Sequence, residues 1–244
     1  RASFDIEQIK ITTKKNNDFV TNVDKAAEKV IIEILSNAYP NHSFLAEESS
    51  NTFNKKGTND YLWIIDPLDG TTNFIHGFPQ YAISIALEHK GKIIQSVIFD
   101  PNRNELYTAS KGEGAYLNDR RLRVSQRINI KDALIGTGFP YSDLSGLEEY
   151  LKILKIMTKS SSGIRRPGAA SLDLAYVAAG RFDGFYEKNL KPWDMAAGVL
   201  LITEAGGIVS DFYGNSNYLN DGNIIAGSPK IFNQMLAIIM GQLK

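Results

Sequence analysis

The stretch Trp63-Ile64-Ile65-Asp66-Pro67-Leu68-Asp69-Gly70-Thr71-Thr72-Asn73-Phe74, WIIDPLDGTTNF, leads an apolar run straight into two acids around a Pro-Leu pair. The apolar residues predict a buried strand ending at Asp66, with Pro67 fixing the backbone just after it. Asp69 follows three residues later, and Gly70 permits a tight chain reversal. Two readings compete. In the first, this is a strand-end turn with Asp69-Gly70 at its tip and Asp66 capping backbone amides. In the second, both carboxylates and the Leu68 carbonyl turn toward one hard cation, and magnesium, which prefers oxygen ligands, suits such a loop. Gly70-Thr71-Thr72-Asn73 adds weight to the second, because backbone N–H groups at a helix start make an anion site.

Outward from this stretch, the pattern changes character near residue 130. Before it, Thr21 to Tyr39 carries apolar residues at helical spacing, with Thr21-Asn22-Val23-Asp24 resembling a capping box and Pro40 beyond its end. Ser43 to Ala46 is a short apolar segment running into Glu47-Glu48. Tyr81 to Tyr107 predicts three strands joined by turns at Lys90-Gly91 and Asp100–Asn104, an antiparallel meander. After it, strands over Ala133–Phe139, Phe182–Tyr186, Ile208–Phe212 and Asn223–Ala226 alternate with helices. These helices cover Leu147–Met157, Ser171–Ala179, Trp193–Glu204 and Pro229–Met240. Such alternation favours a mostly parallel or mixed sheet. An α+β half over 1–130 and an α/β half over 131–244 are therefore expected to share one body. Acids repeatedly stand where an apolar element meets a loop: Glu47, Asp66, Asp69 and Asp194. Taken singly, Glu47 reads as solvated surface and Asp194 as an ordinary helix-start residue.

The bulk composition narrows the function classes. A chain of 244 residues, 43% hydrophobic, can bury a core without disulfides or a structural metal. It has no cysteine, which removes thiolate nucleophiles and Cys-type zinc sites. Basic and acidic residues number 27 each, so no cationic excess exists to neutralise nucleic-acid phosphates, and direct nucleic-acid binding is not expected. No apolar run approaches the ~20 residues of a membrane span, and a cytoplasmic location fits. His42, His76 and His89 show no metal-ligand spacing and read as turn or surface residues. Arg165-Arg166 reads equally as a solvated loop, a dimer contact or a substrate contact.

With Trp193-Asp194-Met195-Ala196-Ala197-Gly198 and Thr203-Glu204-Ala205-Gly206-Gly207, the WIIDPLDGTTNF segment resembles the paired signatures of the inositol monophosphatase family of magnesium-dependent, lithium-sensitive sugar phosphatases. Residues 165–176 (RRPGAASLDLAY), 191–194 (KPWD), 17–24 (NDFVTNVD) and 100–106 (DPNRNEL) look like its bacterial SuhB-type branch. The likeness covers nearly the whole chain, with the family's first helix falling before Arg1.

The resemblance implies a layered α-β-α-β-α fold and hydrolysis of inositol 1-phosphate by metal-activated water. It implies two magnesium ions per subunit and allows a third. Glu47, Asp66 and the Leu68 carbonyl would hold one, and Asp66, Asp69 and Asp194 the other. Gly70 and Thr71 would bind phosphate, the Thr71 hydroxyl would orient water, and Asp24 would hydrogen-bond Thr71, with helix capping as its competing role. Gly168, Ala170 and Glu187 match contacts to sugar hydroxyls. Ala169 stands where relatives commonly carry a hydroxyl. A homodimer is implied. The alternatives are a related phosphatase acting on fructose 1,6-bisphosphate, a bisphosphonucleotide or NADP, and a binding role at the transcription machinery through RNA polymerase.

Overall fold

Two helices lack a polar face: all nine residues of Ala170–Ala178 are buried, as is every residue from Met195 to Ile202 within Pro192–Glu204. A helix apolar all round must be covered on every side. In this chain a sheet lies on either side of the pair. The computed structural model describes residues 10–15, 18–49, 60–139, 144 and 146–243; Asn17 of the N-terminal motif lies outside them.

The described chain opens with an antiparallel hairpin of β1 (Ile11–Lys15) and β2 (Asp18–Thr21), followed by α1 (Asn22–Ala38). A seven-stranded sheet then runs in sequential order: β3 (Ser43–Ala46), β4 (Tyr61–Asp69), β5 (Ala82–His89), β6 (Lys92–Asp100), β7 (Glu105–Ser110), β8 (Gly114–Leu117) and β9 (Arg120–Arg121). A one-turn helix, α2 (Thr71–Ile75), leaves the end of β4. The expected meander is present and longer than expected. The sheet's first pair differs: β3 runs parallel to β4, with α1 packed over β4.

The second sheet is mixed, in the order β11-β10-β12-β14-β13, built from β10 (Leu134–Thr137), β11 (Gly163–Arg165), β12 (Gly184–Glu187), β13 (Ile208–Ser210) and β14 (Ile224–Gly227). Strands β10, β11 and β12 are parallel, whereas β14 is antiparallel to β12 and β13. Helices α4 (Ala170–Ala178) and α5 (Pro192–Glu204) lie between the sheets, their residues joining Ile64, Ala86, Ile98 and Tyr107 of the first sheet and Phe185 and Ala226 of the second in one core. On the far face of the second sheet, α3 (Leu147–Ser160) and α7 (Pro229–Met240) close a core around Tyr150, Ile153, Met157, Tyr186, Ile231 and Met235. On the far face of the first, Ile32 of α1 meets Phe44, Ala46 and Ile65. The order of layers is α-β-α-β-α, with the short α6 (Tyr218–Asp221) beside α5.

Candidate active site

The sequence places the end of the strand at Asp66, yet β4 continues to Asp69. Its pairing with β5 slips between them: Asp66 faces Ser84 and Asp69 faces Ala82, three residues on one strand against two on the other. In a regular strand, side chains three apart point to opposite faces. The extra residue is a bulge, which turns both carboxylates to the same side. Pro67, without an N–H to pair, sits inside that bulge, where its missing donor costs the ladder nothing.

Three further acids reach this corner from other elements. The parallel pairing of Ala46 with Ile65 sets Glu47, directly after β3, beside Asp66, and the Glu47 amide donates to the Ile65 carbonyl at 3.1 Å. Asp194 arrives on the first turn of α5, where the Lys191 amide donates to its carboxylate at 2.7 Å. The buried Ser84, opposite Asp66, donates its hydroxyl to the Trp193 carbonyl at 3.2 Å and so ties the start of α5 to the strand carrying the bulge. One carboxylate oxygen from each of Asp66, Asp69 and Asp194 lies within 4.8 Å of the others.

The third acid is Asp24, for which the sequence left capping and contact with Thr71 as rival roles. It performs both. Its Oδ2 accepts from the Thr21 amide at 3.0 Å and from the Thr21 hydroxyl, completing the cap of α1, while its Oδ1 accepts from the Thr71 hydroxyl at 2.9 Å. The Thr71 hydroxyl also lies 3.0 Å from the Leu68 carbonyl.

Without a cation this is a costly assembly. Burial and the charges of Glu47, Asp69 and Asp194 push the Asp66 carboxyl well above the usual carboxylate range, although the Leu68 amide donating at 2.9 Å opposes this. Burial raises Asp69 to about 6 even though the amide and hydroxyl of Ser171 donate to it at 2.7 and 2.5 Å. Burial and Asp69 likewise raise Asp194. Among the described residues no lysine or arginine forms an ion pair with these three aspartates. Hard oxygen donors this close, lacking a cationic side chain, fit a divalent ion such as magnesium, whose charge would reverse the direction of every one of these shifts.

A cavity of about 480 Å³ opens on this corner. Of the residues singled out from the sequence, Glu47, Asp66, Leu68, Asp69, Gly70, Thr71, Gly168, Ala170, Glu187 and Asp194 all line it, and Asp24 stands behind Thr71. Gly70 has φ +90°, and a Cβ there would lie 2.8 Å from the Gln80 carbonyl, so no other residue fits. Glu187 also lines the cavity; burial raises it to about 8, with the Arg166 guanidinium pulling it down and Asp69 pushing it up.

Several residues of the site were not legible beforehand. Asn73 Nδ2 reaches the carbonyls of Gln80, Pro167 and Gly168 at 2.8, 2.9 and 3.2 Å, holding the α2 turn against the loop that carries Gly168. Gly138 makes room for the Glu187 carboxyl: a Cβ there would fall 1.7 Å from Oε1 and displace it. Arg166, stacked 5.6 Å from the Phe139 ring, lines the cavity, whereas Arg165 in β11 faces solvent. Exposed His76 stands at the rim, while His42 stacks on Tyr61 at 4.6 Å and Tyr61 on His89 at 4.1 Å, remote from the acids. Asp173 also lines the cavity, and its signal was present: one acid inside an otherwise apolar helix. Ser171 lay in a quoted motif without a role. Its two hydrogen bonds orient Asp69, so Ser171→Ala is expected to raise the magnesium concentration for half-maximal activity about tenfold, read from a magnesium titration of the initial rate.

Residues 1–243 match the Inositol monophosphatase family. The chain is 54% identical over 239 residues, 98% of its length and 91% of the relative's, to a protein called putative Nus factor SuhB in Neisseria meningitidis serogroup B. It superposes on the crystal structure of extragenic suppressor protein suhB from Bartonella henselae with a TM-score of 0.93 at 46% identity, covering 98% of this chain and 91% of that one. It is also similar, with a TM-score of 0.83 at 30% identity over 96% of this chain and 87% of the other, to an IMPase/NADP phosphatase solved with Mg2+ and phosphate. The layered fold, the bulged acidic strand and these matches lead to one conclusion: the chain belongs to the inositol monophosphatase family.

Proposed function

We propose that the chain hydrolyses inositol 1-phosphate to inositol and phosphate with magnesium as its cofactor. The observation that carries this reading is the convergence of Asp66, Asp69 and Asp194, from two elements far apart in sequence, in a cavity that Glu187 also lines. Glu47, Asp66 and the Leu68 carbonyl would hold one ion, and Asp66, Asp69 and Asp194 a second. Bound there, the ions supply Lewis acidity, which neutralises phosphate charge and lowers the pKa of a coordinated water.

The chain's own groups do the rest. Thr71 Oγ donates its single hydrogen to Asp24 Oδ1, which leaves its lone pairs free to accept a hydrogen bond from the attacking water and so orient it, and leaves the Leu68 carbonyl available as a ligand. The water oxygen bonds to phosphorus as the bond from phosphorus to the inositol oxygen breaks; of the water's two protons, one stays with the released phosphate and the other ends, by exchange through solvent, on the departing inositol oxygen. Gly70 and Thr71, which line the cavity, would bind the phosphate; Gly168, Ala170 and Glu187, which line it too, would meet the ring hydroxyls. No cysteine is available for a covalent intermediate, and none is required.

Initial rates on inositol 1-phosphate test the proposal. After chelation, release of phosphate should vanish, and it should return with added magnesium. Equal rates with and without magnesium would overturn it. Comparison of kcat/KM with fructose 1,6-bisphosphate, a bisphosphonucleotide and NADP separates this substrate from the related ones.

The similarity to a protein called putative Nus factor favours a second reading, contact with RNA polymerase, which a pull-down by the purified chain would test. We place the protein in the cytoplasm as a homodimer, with sedimentation as the check on the second point; among the described residues no helix is long and apolar enough to cross a membrane.

A further inference from the structure

The proposed reaction leaves one acid of the cavity unused. Asp173 stands on the first turn of α4, three residues beyond Ala170 and on the same helical face, and both line the cavity. Its side chain is about 1% exposed, and its Oδ1 is buried with no hydrogen-bond partner. The other aspartates of the site are engaged: Asp24 with Thr21 and Thr71, Asp66 with Leu68, Asp69 with Ser171, and Asp194 with Lys191. A buried acceptor without a donor is costly, and such groups are rare unless something outside the chain completes them. The charged groups facing Asp173 are Glu187 and Asp69, which repel its charge, and the Arg166 guanidinium, which attracts it.

We propose that Asp173 is a specificity-determining residue: its unpartnered carboxylate oxygen accepts a hydroxyl hydrogen from the alcohol part of the phosphate ester, beside Glu187, and so favours polyol esters. This rests on the phosphatase reading above and adds to it a residue that the family resemblance left without a role. A hydroxyl is the right complement, since it brings a donor and no charge into a wall that already carries two carboxyls. A second phosphate on the substrate would meet those carboxyls and be disfavoured.

The test separates hydrogen bonding from charge, because the two act in opposite directions. Removing a negative charge strengthens the binding of any anion, whereas removing the acceptor weakens only ligands that bear the hydroxyl. In Asp173→Ala the KM for inositol 1-phosphate should rise about ten- to a hundredfold, while the inhibition constant of inorganic phosphate, which has no alcohol part, should not rise by more than about threefold. Asp173→Asn, which keeps an acceptor oxygen, should lose less than Asp173→Ala. If both constants rise together in Asp173→Ala, or neither changes, the assignment fails. If Asp173→Ala does not fold, the same comparison in Asp173→Leu, which is close in volume and likewise has no acceptor, decides; if neither of these folds by circular dichroism, the role is structural and the proposal is overturned. A parent protein that does not hydrolyse inositol 1-phosphate defeats the phosphatase reading itself, and this inference with it. A parent that does, with variants that match it, defeats only the role of Asp173.

Discussion

Replacing Asp66 by Asn is expected to lower magnesium-dependent phosphate release by about a thousandfold or more, because one ligand would be lost from both proposed ions and several kcal/mol of charge stabilisation with it. The same substitution should make the metal-free protein more stable. Asp66 is about 1% exposed, its carboxyl is driven upward by burial, and it is crowded by Glu47, Asp69 and Asp194. In the unfolded chain its charge is solvated and unopposed; in the folded chain without a cation it must either bear the repulsion or take up a proton. Asn is nearly isosteric and keeps an oxygen for the Leu68 amide, so the bulge should persist while the repulsion is removed. A rise in melting temperature of about 5 °C in chelator corresponds to 1–2 kcal/mol for a chain of this size. The paired outcome is diagnostic. A merely structural Asp66 would lose stability on substitution, and a merely surface one would change neither quantity. Near-parental turnover in Asp66→Asn would remove the metal assignment, and a lowered melting point in chelator would remove the account of repulsion.

How much of this could be read in advance depends on whether a feature is local. The cap at Thr21, the turn at Gly70 and the apolar periodicity of α1 are set by residues within a few positions of one another, and the sequence shows them. So is the association of acids with the ends of apolar elements. The bulge is not local: it exists only as a mismatch between β4 and β5, and strand alternation alone would have pointed Asp66 and Asp69 apart. The parallel start of the first sheet is a pairing between β3 and β4, and sequence spacing carries no record of strand direction. Helices α4 and α5 read as helices, but uniform burial erases the periodicity that would say which sheet each one faces. Asn73 and Gly138 act on residues ninety-four and about fifty positions away, respectively, so their roles follow only from the packed structure. The two roles of Asp24 were each visible; that one carboxylate fills both, one oxygen per role, required the geometry. The family resemblance carried the ligand assignments across distances that spacing could not.

The stability of the metal-free protein should fall as pH rises, and magnesium should restore it most where it has fallen furthest. The sign follows from the direction of the shifts. Asp69 titrates near 6 and Glu187 near 8 in the folded chain, with Asp66, Asp173 and Asp194 also raised, whereas unfolded Asp and Glu titrate near 4. A group with a raised folded pKa holds its proton more tightly in the folded state. Its contribution is therefore fully present below the unfolded pKa and is lost as pH rises through the folded one. For Asp69 alone that loss is on the order of 3 kcal/mol, completed above pH 6, and Glu187 extends the window toward pH 8. In chelator the melting temperature should decline steadily from about pH 5 to about pH 8. Divalent ions bind the deprotonated carboxylates, so protons compete with magnesium, and the rise in melting temperature on adding saturating magnesium should grow over the same interval. Sodium at equal ionic strength should not reproduce that rise, because general screening acts weakly on buried groups. Differential scanning fluorimetry across this interval, with chelator, magnesium or sodium, measures all three curves. A chelated melting temperature that stays level or climbs with pH would mean that these carboxyls are not competing for one small space, and the metal centre inferred from their crowding would lose its basis.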